Sequence, residues 1–171
     1  DVAVFRPSNN TWYVVNSGGG ATIVAFGAAG DVPVRADYDG DGKTDIAIFR
    51  PSVNQWWING STAGVTAQTF GAAGDKLVPA DYDGDNKDDI AIWRPATGQW
   101  WILQSSNSTA VVNTFGNSTD VPVPGDYDGD GKDDIAIYRN GQWWMNRSTN
   151  GVAVSNFGLA ADKPTPGAYV P

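Results

Sequence analysis

Residues 37 to 51 read DYDGDGKTDIAIFRP. The run returns as DYDGDNKDDIAIWRP at 81 to 95 and as DYDGDGKDDIAIYRN at 126 to 140, and its second half alone opens the chain as DVAVFRP. Ile, Ala, Val and an aromatic between Asp-rich and Pro- or Asn-containing punctuation is the pattern of a short strand. Repetition at a fixed period is the signature of an architecture assembled from like units. The period here is about 44 residues.

Each unit continues in the same way. An aromatic pair follows (Trp12-Tyr13, Trp56-Trp57, Trp100-Trp101, Trp143-Trp144), then Phe-Gly (Phe26-Gly27, Phe70-Gly71, Phe115-Gly116, Phe157-Gly158). A turn with an aspartate comes next (Asp31, Asp75, Asp120, Asp162), and a VPV-like segment leads into the next acidic loop. The pattern predicts four strands per unit: A (as VPVPGDY), B (as DIAIYR), C (as QWWILQS) and D (as AVVNTFG). No window has helical periodicity. Four short antiparallel strands in a repeat of this length are the format of a propeller blade. A β-solenoid has shorter rungs, and a β-sandwich has no need of such faithful repetition.

The fold expected is therefore all-β, a small β-propeller of four four-stranded blades in one domain, 1–171. The chain starts at strand B, and its end, KPTPGAYV at 163–170, aligns with strand A. The blades are expected at 1–27 plus 163–171, 32–71, 76–116 and 121–158, with the C-terminal strand pairing with the N-terminal blade to close the ring.

Composition narrows the chemistry. Cysteine and histidine are absent, and all 19 acidic residues are aspartate, in a chain of formal charge −8. Thiolate chemistry, imidazole bases and disulfides are excluded. Aspartate without glutamate belongs to turns and short-armed oxygen ligation rather than to helix surfaces. The acidic balance opposes nucleic-acid binding. No apolar run reaches the roughly 18 residues of a membrane span, and no signal peptide remains at the N-terminus; if the protein is secreted, this sequence is its mature part.

Counted from Asp37, carboxylates fall at positions one, three, five and nine (Asp37, Asp39, Asp41, Asp45), with the backbone carbonyl of Lys43 at seven. The second loop offers Asp81, Asp83, Asp85, Asp89 and the carbonyl of Lys87; the third offers Asp126, Asp128, Asp130, Asp134 and that of Lys132. Alternating oxygens in a tight loop suit a hard cation with about six or seven oxygen ligands at about 2.4 Å, and an all-protein carboxylate cage suits Ca²⁺ better than Mg²⁺. Three Ca²⁺ ions are expected, which would bring the formal charge from −8 to −2. The lysine side chains are expected to point outward. Of a fourth loop only Asp1 survives, at position nine; Ala168 and Val170 stand where the third loop has Asp126 and Asp128, so no calcium is expected there.

The acidic loop, the strand after it and the closing Phe-Gly resemble the FG-GAP/VCBS repeat family, which includes the propeller of integrin α-subunits, a fungal propeller lectin and many secreted bacterial proteins. The resemblance spans essentially the whole chain. It implies a β-propeller with calcium in the hairpin loop between the first two strands of each blade. It also implies adhesion or carbohydrate binding rather than catalysis. Propellers of the family commonly have seven blades; this chain supplies four.

Two readings of the aromatic pairs stand side by side. Adjacent strand residues face opposite ways, so the rings can fill the layers between blades; alternatively Trp56, Trp57, Trp100, Trp101, Trp143 and Trp144 present faces to a sugar. Arg6, Arg50, Arg94 and Arg139 are expected to stack on aromatics or pair with aspartates. Asp31, Asp75, Asp120 and Asp162 are expected to fix their turns through backbone N–H groups. Five N-x-S/T sequons, at Asn9, Asn59, Asn107, Asn117 and Asn146, are expected in hairpins or loops of a glycosylated surface.

With no His, Cys or Glu, and with aspartates committed to loops, an enzyme is not expected. The function expected is an extracellular calcium-binding module for carbohydrate or a cell-surface protein. A structural stalk, cap or filament subunit assembled by strand exchange is the alternative. A monomer is favoured over the exchanged oligomer, with no membrane insertion.

Overall fold

Strand follows strand with no helix among the described residues, which in this computed structural model are 1–165. The chain divides into two units, Asp1–Ala73 and Gly74–Pro171. In the first, β1 (Val2–Arg6), β2 (Thr11–Val15) and β3 (Ala21–Ala25) form a three-stranded sheet. There β4 (Val32–Pro33), β5 (Ile46–Arg50), β6 (Gln55–Gly60) and β7 (Gly64–Thr69) form a four-stranded one in sequence order. In the second unit, β8 (Lys76–Leu77), β9 (Ile90–Arg94), β10 (Gln99–Leu103) and β11 (Ala110–Thr114) make one four-stranded sheet. Its other sheet is β12 (Val121–Pro122), β13 (Ile135–Arg139), β14 (Gln142–Arg147) and β15 (Gly151–Asn156). All pairings are antiparallel, as expected for consecutive strands joined by short turns.

Strand A is shorter than its sequence suggests. Two residues form the ladder, as Val32↔Phe49 and Pro33↔Ile48, and the same register resumes at the isolated bridge Ala36↔Asp45. Between the two, Val34 N–H still donates to Ala47 O at 2.9 Å, and the equivalent β8, with Leu77 at the place of Pro33, is equally short. Residues 163–165 carry no strand, and the remainder of the segment expected to close the ring lies outside the described residues.

Register decides which aromatic is buried. Trp56 pairs with Phe49 and Trp57 with Ile48, on opposite faces of the sheet. Trp56 and Trp100 are fully buried, so the sugar-binding reading of these two indoles is corrected: no face is left for a ligand. Trp143 is half-buried. Each first ring also satisfies its one polar atom. The indole N–H of Trp12, Trp56, Trp100 and Trp143 donates to the carbonyl of Phe26, Phe70, Phe115 and Phe157, at 2.9–3.2 Å.

The same phenylalanines donate their backbone N–H to the turn between strands B and C, at Asn10, Asn54, Gly98 and Gly141. These turn residues adopt positive φ. At Gly98 a Cβ would lie 2.3 Å from the Gly116 carbonyl oxygen, so only glycine fits. The Phe-Gly pair is thus the buckle that fastens a sheet's last strand to its central hairpin.

In the second unit Val78, Ala91, Trp93, Trp100, Ile102, Ile135 and Ile137 form one buried cluster, drawing on both of its sheets. Outer strands are wet: β7 is exposed along its whole length.

The arginines do both things expected of them. Arg50 grips Asp31 through Nε (2.9 Å) and Nη2 (2.8 Å), and Arg94–Asp75 and Arg139–Asp120 repeat the fork. The guanidinium of each also lies over the second aromatic, Trp57, Trp101 or Trp144, at 5.3–5.4 Å. Arg6 lies over Tyr13 and donates to its hydroxyl. The aspartates fix their turns: Ala28, Asn117 and Leu159 donate backbone N–H groups to Asp31, Asp120 and Asp162. Two sequons depart from expectation: Asn59 and Asn146 sit within strands β6 and β14 and are half-buried, whereas Asn9, Asn107 and Asn117 are exposed.

Candidate metal centre

Each acidic loop hangs between the bridge that ends strand A and the strand that follows. Asp45 N–H donates to Ala36 O at 2.7 Å and shuts the first loop. Inside it, the carboxylate of Asp37 accepts from Gly40 N (2.7 Å) and Gly42 N (2.8 Å), winding the chain around a small centre. Asp81 does the same with Gly84 and Asn86, and Asp126 with Gly129 and Gly131. Position six takes φ of 78°, 66° and 85° at Gly42, Asn86 and Gly131, the left-handed bend that glycine and asparagine tolerate.

The structure gathers three carboxylate groups whose oxygens lie within 4.8 Å of one another: Asp37, Asp39 and Asp41; Asp81, Asp83 and Asp85; Asp126, Asp128 and Asp134. Each group can hold a metal ion. Asp45 and Asp89 fall outside the first two groups, and Asp130 outside the third.

A second turn at the same end of the sheet holds these carboxylates, and sequence reading missed it. Between the last two strands, Thr62 donates through N (2.7 Å) and Oγ1 (2.8 Å) to Asp39 Oδ2, while Ser61 Oγ donates to Asp41 Oδ2 at 2.5 Å. Ser105 and Ser106 serve Asp85 and Asp83. Ser148 and Thr149 donate to Asp130, and Asn150 to Asp128. The signal was present as Ser-Thr, Ser-Ser and Ser-Thr after each third strand, but hydroxyl residues are ordinary in turns.

Position three provides the test of fit for a cation. In all three loops Oδ2 of this residue is hydrogen-bonded, while Oδ1 of Asp39, Asp83 and Asp128 is buried with no partner. A buried carboxylate oxygen without a donor costs free energy. Three identical orphans facing like-charged neighbours match what an oxygen-seeking cation requires.

Position nine is different. Asp45 is buried and both its oxygens are used, Oδ1 by Ser61 N and Oδ2 by Tyr38 N. Asp89 and Asp134 repeat this with Ser105 and Tyr82, and with Ser148 and Tyr127. Asp1, at the equivalent place before β1, accepts from Ser17 N at 2.6 Å. The Lys43 side chain is largely exposed, as expected, and its ammonium also pairs with Asp41 at 3.0 Å.

Electrostatics follow these contacts. The Thr62 N–H beside Asp39, the Ser61 hydroxyl on Asp41 and the Ser148 hydroxyl on Asp130 hold those carboxyls below their ordinary range. Burial pushes Asp45 up and Asp89 up to about 6, against the pull of their backbone donors. Burial likewise raises the Tyr127 hydroxyl to about 12.

No curated protein and no solved structure matches the chain. The model of the FG-GAP-like repeat matches residues 37–92 and 81–137, so each match begins at the first aspartate of one loop and runs through the next. Those matches span more than half of the chain, and with three acidic loops, their strands and the Phe-Gly buckle in place, it belongs to the FG-GAP-like repeat family.

Proposed function

We propose that the chain is a calcium-stabilised, non-catalytic binding module of β-propeller-like form that works outside the cell. The observation that supports it most is the orphaned Oδ1 repeated at Asp39, Asp83 and Asp128. One Ca²⁺ per loop would draw on the carboxylates at positions one, three and five, the carbonyl at seven (Lys43, Lys87, Lys132), and position nine where its oxygens can be shared. The ion supplies the positive charge that lets these carboxylates share one loop. Calorimetric titration of chelator-treated protein should give three ions, and Asp39→Ala, Asp83→Ala and Asp128→Ala should each remove one. Fewer than two bound ions, with a melting curve that calcium does not move, would overturn the reading.

As ligand we propose carbohydrate, held by the half-buried second rings Trp57, Trp101 and Trp144, each of which keeps one face under an arginine. A glycan array that stays blank for the calcium-loaded chain would eliminate this ligand.

A closed four-bladed ring, with 163–170 as the fourth strand on β1, is the form proposed for the propeller. Among the described residues β1 is the edge of a three-stranded sheet, whereas β5, β9 and β13 each have a short strand beside them, and Val4 is 57% exposed where its counterpart Ile48 on β5 is buried. The same edge could take that strand from a second chain, giving the stalk or filament form. Deleting 163–171 and measuring solution mass and melting tests both: a truncated chain unchanged in each would exclude strand completion of β1.

A further inference from the structure

Asp133, at position eight of the third loop, reaches out of its own loop and into the second. Its N–H donates to Asp81 O at 2.7 Å, and its Oδ2 accepts from Asp81 N at 3.1 Å, so both backbone polar groups of Asp81 are held by one residue. Beside this clamp the aliphatic stem of Lys132 lies on Gly84, where an added Cβ would come within 3.0 Å of it. Asp81 is position one of the second group and caps that loop's turn through Gly84 and Asn86. Asp133 stands between Lys132 at position seven and Asp134, a member of the third group. The first loop has Thr44 at the same place, a residue with no carboxylate.

We propose that Asp133 is a positioning residue shared by the second and third cation sites, so that the two fill as a coupled pair. The inference rests on the calcium reading of the loops. Its sign comes from ordering. An ion in the third loop fixes the backbone on both sides of Asp133, and Asp133 then presents Asp81 already set for the second ion, which has less disorder left to remove. Direct repulsion between two dications opposes this, but solvent and the surrounding carboxylates screen it. Coupling of this kind falls in the range of about fivefold to 150-fold in affinity.

The test uses the full chain, stripped with chelator and titrated with calcium by calorimetry. An Asp39→Ala background leaves the second and third sites. Adding Asp128→Ala removes the third, and second-site affinity should then fall about fivefold or more. With Asp133→Ala present as well, removing the third site should change the second less than about twofold, the pattern of a closed double-mutant cycle. Asp133→Asn keeps an acceptor for Asp81 N and should restore coupling; if the alanine variant fails to fold, as judged by circular dichroism in saturating calcium, Asp133→Leu, which also removes the acceptor, takes its place in the cycle. A second site indifferent to loss of the third, or coupling that survives Asp133→Ala, overturns the proposal while leaving the calcium reading intact. A parent chain that takes up no calcium overturns both.

Discussion

Asp45 Oδ1 accepts the backbone N–H of Ser61 at 2.7 Å, fastening the end of an acidic loop to the turn between the sheet's last two strands. The contact recurs in every sheet, including the first, where Asp1 accepts from Ser17 N. Position nine is therefore a residue of the fold before it is a residue of any metal site. Asp45→Ala should lower stability by about 2 kcal/mol in excess chelator, because two backbone N–H groups lose their acceptor. Asp39→Ala, which removes the orphaned oxygen, should be close to neutral under the same conditions. Urea unfolding of both variants without metal checks the contrast, and equal effects would refute it.

The Asp31–Arg50 fork predicts a pH dependence. The Arg50 guanidinium holds Asp31 below its ordinary 3.8, and Asp31 is buried. A depressed carboxylate contributes stability that is complete above the unfolded value and is lost as pH falls through the folded one. Asp31→Asn should cost about 3 kcal/mol at pH 7, the lower end for breaking a buried pair, since Arg50 keeps some contact with water. The gap between variant and parent should narrow below pH 4. A gap that stays constant from pH 7 to 2.5 would rule out the ion pair as its source.

Gly98→Ala should destabilise the second unit by about 2 kcal/mol or more, because its Cβ would meet the Gly116 carbonyl in a left-handed turn. Asn54→Ala, in the equivalent turn of the first unit but already carrying a Cβ, should cost less. Melting temperatures of the two variants compare them directly.

Trp100→Phe should cost about 2 kcal/mol, mainly from lost volume in the buried cluster, since Trp93 Nε1 still donates to the Phe115 carbonyl. Trp101→Phe, on the half-buried face, should cost under about 1 kcal/mol. Similar losses for both would mean that strand register does not set burial as described.

Strands B, C and D of each unit and the three acidic loops were legible because their cues are local: alternation, Phe-Gly, and carboxylates at every second position. Which ring of Trp56-Trp57 turns inward was not legible, because a period of two separates faces without saying which is the core. The Ser61 and Thr62 contacts were hidden for another reason. They join residues 20 and 23 apart, and only folding the central hairpin brings that turn over the loop. Strand A was overestimated because its ladder stops after two residues and returns only as a single bridge before the acidic loop, with or without a proline in it.

The aspartate–arginine fork has a consequence for how such a chain can lengthen. Asp31 and Arg50 are 19 residues apart, as are Asp75 and Arg94, and Asp120 and Arg139. A segment cut just before one of these aspartates and just before the next carries both halves of its fork, a whole acidic loop and the hydroxyl turn that serves it. A cut between sheets at Phe-Gly would keep the same pairs, but a cut inside the acidic loop would orphan an arginine. The duplicable module is thus offset from the chain's first residue, and inserting or excising one such segment preserves every one of these ion pairs.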